Sequence, residues 1–237
     1  MMGPVLRALL FDVQGTATDF HSTVCDEAER ISAARHPDAD WPEVVRRWRA
    51  GYFTALEAAQ GRGSGWRSVH SVYREALDTV LDDCGIAGFS DAEREELTLA
   101  WQRLRPWPDV VPGLVRLKRA YTLATLSNAD VSAVVNISKR AGLPWDAIFA
   151  AEMAGVFKPD PAIYQLAATY LGMEPAEIMM VASHKYDIRA AGGLGFATAF
   201  VARPLEFGSD GEADVAFSDE FDVNASDFLD LAAQLGC

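Results

Sequence analysis

The stretch that most constrains this chain is an apolar run from Val5 to Phe11, broken only by Arg7, that ends in Asp12-Val13-Gln14-Gly15-Thr16. Such a run suits a parallel strand buried on both faces. Gly15 permits a tight turn that leaves the strand's carboxyl end open, and open parallel sheets bind ligands at that end. Asp12 is therefore the first candidate for chemistry. On this stretch alone a plainer reading stays open, in which Asp12 caps a turn through an Asx-type hydrogen bond.

Three further segments place polar groups just beyond an apolar run or at a helix start. Ser127-Asn128 follows Leu123-Ala124-Thr125-Leu126, Lys158 precedes Pro159-Asp160-Pro161, and Asp187 lies five positions beyond Ala182. In that order, and across the whole chain, the four segments resemble the haloacid dehalogenase superfamily. In that superfamily an Asp nucleophile, a Ser or Thr, a Lys and a final acidic motif converge from successive strand ends.

The resemblance is closer to one branch than to another. Metal-dependent phosphatases of the superfamily carry a second Asp two positions after the nucleophile, where this chain has Gln14. A neutral amide cannot protonate an alkoxide leaving group. The usual Gly-Asp-Ser of the last motif reads Ala182-Ser183-His184 here, leaving Asp187 as the lone carboxylate, whereas a hard divalent cation prefers several anionic oxygens. Both departures match the type II L-2-haloacid dehalogenases, in which a carboxylate displaces the leaving group at C2 of a small 2-substituted acid. Water then hydrolyses the resulting ester.

That resemblance implies a metal-free, cofactor-free hydrolase with Asp12 as nucleophile and Thr16 and Ser127 bonding the nucleophile and the substrate carboxylate. Lys158 is implied to neutralise the charge around Asp12, with Tyr164 in support, and Asp187 to activate water. Asn128 belongs to the carboxylate-binding turn and Arg49 to the leaving-group site. Gln14 and His184 flank the expected pocket at places where most or many relatives have an aromatic residue and Asn. Phe20, Trp48, Tyr52 and Trp66 are expected to supply apolar walls that exclude water. The bland readings are that Ser127 and Asn128 cap a helix, that Lys158 is solvated, that Arg49 snorkels over aromatics and that His184 is structural. A relative that opens L-azetidine-2-carboxylate by the same displacement is the close alternative, with a magnesium phosphatase and a non-catalytic binding protein behind it. Many relatives are dimers, which implies a homodimer here.

The expected fold class is α/β, a doubly wound parallel sheet with an inserted helical cap. Residues 1–18 and 107–237 form the core and residues 19–106 the cap. Within the cap, Trp41, Val44, Val45, Trp48, Tyr52 and Leu56 recur at steps of three and four, so they line one helix face. By the same spacing Arg49 lies at the margin of that stripe. A second helix is expected from about Trp66 to Cys84 and a third from Ser90 to about Leu104, with Gly61-Arg62-Gly63-Ser64-Gly65 as a flexible connector. From Pro204 to Asp222 the composition predicts a surface loop with a short edge strand at Asp214 to Phe217.

With 21 Lys and Arg against 34 Asp and Glu, the net charge of −13 repels nucleic acid and anionic lipid. The expected partner is a small anionic or zwitterionic carboxylate substrate, which needs a local positive pocket. Three cysteines without metal-type spacing fit a reduced cytoplasm. No basic leader or long apolar span is found, so no export or membrane insertion is expected.

Overall fold

In the computed structural model, which describes residues 5–32, 35–59 and 66–237, the apolar run forms β1 (Ala8–Phe11), four residues without exposure to solvent. The strand is shorter than the run, because Val5 is exposed. After it come β2 (Thr18–Asp19) and four helices: α1 (Phe20–Ser32), α2 (Trp41–Ala59), α3 (Val69–Asp83) and α4 (Asp91–Thr98). Strand β3 (Arg105–Pro106) then pairs antiparallel with β2, Thr18 opposite Pro106 and Asp19 opposite Arg105.

The remaining chain alternates. It contains α5 (Val110–Leu117), β4 (Thr122–Ser127), α6 (Val131–Ala141), β5 (Ala147–Ala150), α7 (Ala151–Ala154) and α8 (Pro161–Leu171). After these come β6 (Ile178–Ala182), α9 (Lys185–Gly193), β7 (Ala197–Val201), β8 (Val223–Ala225) and α10 (Phe228–Gln234). The sheet has six parallel strands in the order β5-β4-β1-β6-β7-β8. Strand β1 lies between β4 and β6, with Phe11 opposite both Thr125 and Val181. That register brings Asp12, Ser127 and Ser183 to one edge, where the strand order reverses and a crevice opens.

Helices α1 to α4 pack on one another through the predicted stripe. Trp41, Val44, Val45, Trp48, Tyr52 and Leu56 are all buried. Helix α3 starts at Val69 rather than Trp66, because the Ser68 side chain caps it by accepting from Ser71 N. Helix α4 stops at Thr98 and tightens into a single 3-10 turn over Leu99–Gln102. The Gly61-to-Gly65 connector lies outside the described residues.

The edge strand is not at Asp214 to Phe217, which is exposed, but at β8. The Asp222 carboxylate accepts from both the backbone N and the hydroxyl of Thr198, at 2.8 Å each. This clamp sets Val223 opposite Ala199 and so fixes which segment joins the sheet. Asp214 instead reaches out to Lys185. Among the described residues no helix is long and apolar enough to cross a membrane.

Candidate active site

Asp12 continues the ladder one residue past β1, its N–H donating to Val181 O at 3.0 Å, so the carboxylate has a fixed origin. The chain then turns at Gly15, whose φ of +93° favours glycine. The N–H groups of Ala17 and Thr18 and the Thr18 hydroxyl all donate to Val13 O, holding the turn closed. Asp12 is buried. Its Oδ1 takes Lys158 Nζ at 2.9 Å, and its Oδ2 takes Thr16 Oγ1 at 2.8 Å and faces His184 Nδ1 at 3.2 Å. The Asx-turn reading therefore gives way to a buried carboxylate surrounded by donors. Burial would raise the Asp12 pKa, but Lys158 and then His184 outweigh it and hold the carboxyl well below the usual carboxylate range.

Lys158 is buried between two carboxylates, with Asp187 Oδ2 at 2.5 Å on its other side. Burial would lower its pKa, yet Asp12 and Asp187 reverse that and lock it as an ammonium. A solvated lysine is excluded. Asp187 behaves oppositely, its pKa raised first by burial, which makes it a stronger base than an exposed carboxylate. The Tyr164 hydroxyl donates to Asp187 Oδ1 at 2.6 Å, so tyrosine supports the lysine through the second carboxylate rather than directly.

The β4 end behaves differently at its two positions. Ser127 is buried, and its hydroxyl makes no hydrogen bond among the described residues, which leaves it free for a ligand. The Asn128 side chain is turned away to the Lys158 backbone, accepting from its N–H at 2.7 Å and donating to its C=O at 3.2 Å. The Asn128 side chain thus sets the position of Lys158, and what the residue turns toward the Ser127 side of the site is its backbone. Helix α6 takes its start from Asp130, so neither Ser127 nor Asn128 is its cap. The Tyr52 hydroxyl bonds Asn128 O at 2.7 Å and ties α2 to this turn.

Arg49 does not snorkel. It is 4% exposed, and its guanidinium carbon lies 4.6 to 5.6 Å from the ring centres of Phe53, Phe20, Tyr52 and Trp101. Its Nη1 donates to Gln14 Oε1 at 2.8 Å and meets the Tyr73 hydroxyl, which also donates to Gln14 Oε1 at 3.0 Å. Arg49 Nε is buried without a partner among the described residues. Trp48 is not a pocket wall. Its indole N–H donates to Tyr73 O at 2.7 Å and its ring packs edge-on against Tyr73 and Trp101, bracing the wall from behind.

His184 stands between carboxylates, with Nε2 at 2.7 Å from Glu206 Oε1. Burial would lower its pKa, but Glu206 and then Asp12 raise it to about 10. The imidazole is in direct contact with the Asp12 carboxylate. Glu206 is itself buried, so the tail begins as part of the site rather than as a surface loop. Arg203 carries it there. The Arg203 guanidinium donates to Thr16 O at 2.7 Å and to both Asp109 oxygens at 2.8 and 2.9 Å.

Sequence reasoning missed Tyr73, Ser183, Arg203 and Glu206. Tyr73 was concealed by its helical register with Val69, Val72 and Leu77, all buried. Ser183 was read only as a departure from a motif, although its N–H donates to Thr16 Oγ1 at 2.9 Å. A divalent cation does not suit these groups. The Lys158 ammonium fills the place between Asp12 and Asp187, and Gln14 is neutral with its oxygen already engaged.

A six-stranded parallel sheet with helices around it and its polar cluster at the strand ends defines a doubly wound α/β enzyme with its site at the switch in strand order. The chain belongs to the haloacid dehalogenase-like hydrolase family, whose model matches residues 6–195. It is 32% identical over 201 residues to an (S)-2-haloacid dehalogenase from Xanthobacter autotrophicus, covering 84% of this chain and 76% of that one. An (S)-2-haloacid dehalogenase from Pseudomonas sp. strain CBS-3 is 30% identical, covering 85% and 86%. Among solved structures, a defluorinating L-2-haloacid dehalogenase superposes with a TM-score of 0.93 at 37% identity, covering 98% and 96%. The Xanthobacter autotrophicus enzyme with chloropropionic acid covalently bound gives 0.80 at 28% identity, covering 98% and 99%.

Proposed function

We propose that this protein is a metal-independent (S)-2-haloacid dehalogenase that works through an ester on Asp12. In the first step an Asp12 oxygen attacks C2 of the substrate and the halide leaves with the bonding electrons. Water then adds to the aspartyl carbonyl carbon while Asp187 takes its proton, and the 2-hydroxy acid departs. Lys158 offsets the charges of Asp12 and the substrate carboxylate, for which Ser127 supplies a free hydroxyl. Helices α1 to α4, within residues 19–106, act as the cap that delivers Arg49.

One observation carries the choice of leaving group. The Gln14 carbonyl is occupied by both Arg49 and Tyr73, so what it offers beyond them is its N–H2. Together with the unpartnered Arg49 Nε, that makes a donor-lined place suited to a halide. An ammonium, as in ring opening of azetidine-2-carboxylate, needs an acceptor there, and Gln14 no longer has one to give.

The test is halide release from L-2-chloropropionate beside consumption of L-azetidine-2-carboxylate and of phosphate esters, each with and without exhaustive chelation. Chloride release unaffected by chelator is expected. Ring opening without halide release, or hydrolysis of esters only with metal, would overturn the proposal. The same reading includes a homodimer, testable by light scattering, and a reducing cytoplasm, in keeping with the free Cys25, Cys84 and Cys237.

A further inference from the structure

The two oxygens of Asp12 are not equivalent. A carboxylate oxygen has two in-plane lone-pair sites. Oδ2 has both filled, by Thr16 at 2.8 Å and His184 at 3.2 Å, while Oδ1 has only Lys158 at 2.9 Å. Thr16 Oγ1 accepts the Ser183 N–H at 2.9 Å and lies 3.0 Å from the Ser183 hydroxyl, which can donate to it and so leave the Thr16 proton for Asp12 Oδ2. The ring of His184 has a carboxylate at each nitrogen, Asp12 at Nδ1 and Glu206 at Nε2. A neutral imidazole carries one N–H and would turn a lone pair toward one of them, so only the imidazolium satisfies both.

The pair is also built into the nucleophile turn. A Cβ on Gly15 would stand 2.3 Å from Glu206 Oε1 and 3.3 Å from His184 Cε1. Glycine at this position both permits the turn and makes room for the two side chains.

We infer that Asp12 Oδ1 is the nucleophilic atom and that Thr16 and His184, the latter held by Glu206, form an oxyanion hole around Oδ2 for hydrolysis of the ester. This deepens the dehalogenase reading and rests on it. In the displacement, Oδ1 bonds to C2 and the halide takes the electrons of the breaking bond. Water then adds to the aspartyl carbon, one proton passes to Asp187, and the carbonyl electrons move onto Oδ2, which already faces two donors. Collapse restores the carbonyl, breaks the bond from that carbon to Oδ1, and returns the proton from Asp187 to the departing hydroxy acid, while the second water proton, left on the Asp12 carboxyl, passes to solvent as the carboxylate re-forms beside Lys158. His184 is thereby a catalytic residue and Glu206 its positioning residue.

The inference makes the two steps respond oppositely. Asp12 loses negative charge during displacement, so an imidazolium at Oδ2 helps to keep the carboxylate ionised, as Lys158 does, but does not favour the attack itself. Negative charge grows on Oδ2 during hydrolysis, where a positioned donor is worth roughly a hundredfold in rate. The experiment is rapid mixing of wild type, Glu206→Gln and His184→Asn with (S)-2-chloropropionate, reading the chloride burst and the intact mass of quenched protein. Circular dichroism confirms the fold of each variant.

Glu206→Gln is expected to keep the chloride burst, to accumulate the ester and to hydrolyse it about a hundredfold more slowly. Its alkaline limb of hydrolysis moves to lower pH, because Glu206 is the charge that keeps His184 protonated once Asp12 is an uncharged ester. In the free enzyme Asp12 is a second such charge, and Tyr186 is the neighbouring titratable ring, 5.9 Å from the imidazole centre. His184→Asn keeps a donor without a charge and is expected to lose that limb. Equal slowing of both steps, or no accumulated ester in either variant while wild type turns over, would overturn the oxyanion assignment. Wild type that releases no halide would instead sink the substrate reading beneath it.

Discussion

Burial alone would push the Asp12 carboxyl toward its neutral form, and a neutral acid does not attack carbon. Lys158 and His184 reverse that balance from opposite sides of one carboxylate. Asp12→Asn keeps the shape and removes the anion, so it is expected to abolish turnover with the fold intact. A single wild-type turnover in heavy-oxygen water should place label in Asp12, and retained activity in freshly prepared variant would contradict the nucleophile assignment. Lys158→Ala is expected to cost roughly 3 kcal/mol of barrier, the usual scale for one positioned electrostatic partner. The pH sign follows from the depressed pKa. Ionised Asp12 persists as pH falls through the ordinary aspartate value of about 3.9 and is lost only below it. The acid limb of kcat/KM should therefore lie below that range in wild type and move upward in Lys158→Ala. An unmoved limb would mean that Lys158 does not set the Asp12 charge.

Elements determine which of these residues could be read from the chain. Asp12, Ser127 and Asp187 were legible because each lies at the end of an apolar run or at the helix start just beyond one, and the α2 stripe because its spacing repeats every three and four residues. Glu206 and Arg203 were not, since they follow β7 in a stretch whose Gly, Asp and Glu content resembles a solvated loop. Their burial depends on Asp109, the residue before α5, whose carboxylate binds Arg203 and also accepts the Phe228 N–H at the start of α10. Burial acts to raise the Asp109 pKa, but the Arg203 contact outweighs it and holds the group low. Its stabilisation is thus present above the unfolded aspartate value and lost as pH falls through the lowered one. Asp109→Asn is expected to destabilise the protein by about 3 kcal/mol, because a buried guanidinium loses its counter-charge. Urea unfolding at neutral pH measures this, and a loss under about 1 kcal/mol would show the clamp to be dispensable.

At the scale of the whole molecule, the net charge of −13 opposes the arrival of a carboxylate, while the positive groups that receive it are buried. With a screening length of about 10 Å at 0.1 M salt, kcat/KM for an anionic haloacid should rise as a halide-free salt is added from low ionic strength. A fall would show that local attraction dominates the approach. Arg203 reaches the nucleophile turn at Thr16 O, and Glu206 reaches it through His184. The stretch after β7 is therefore a brace for the first motif rather than a free tail, and a change made there is felt at the nucleophile although nearly two hundred residues separate the two in the chain.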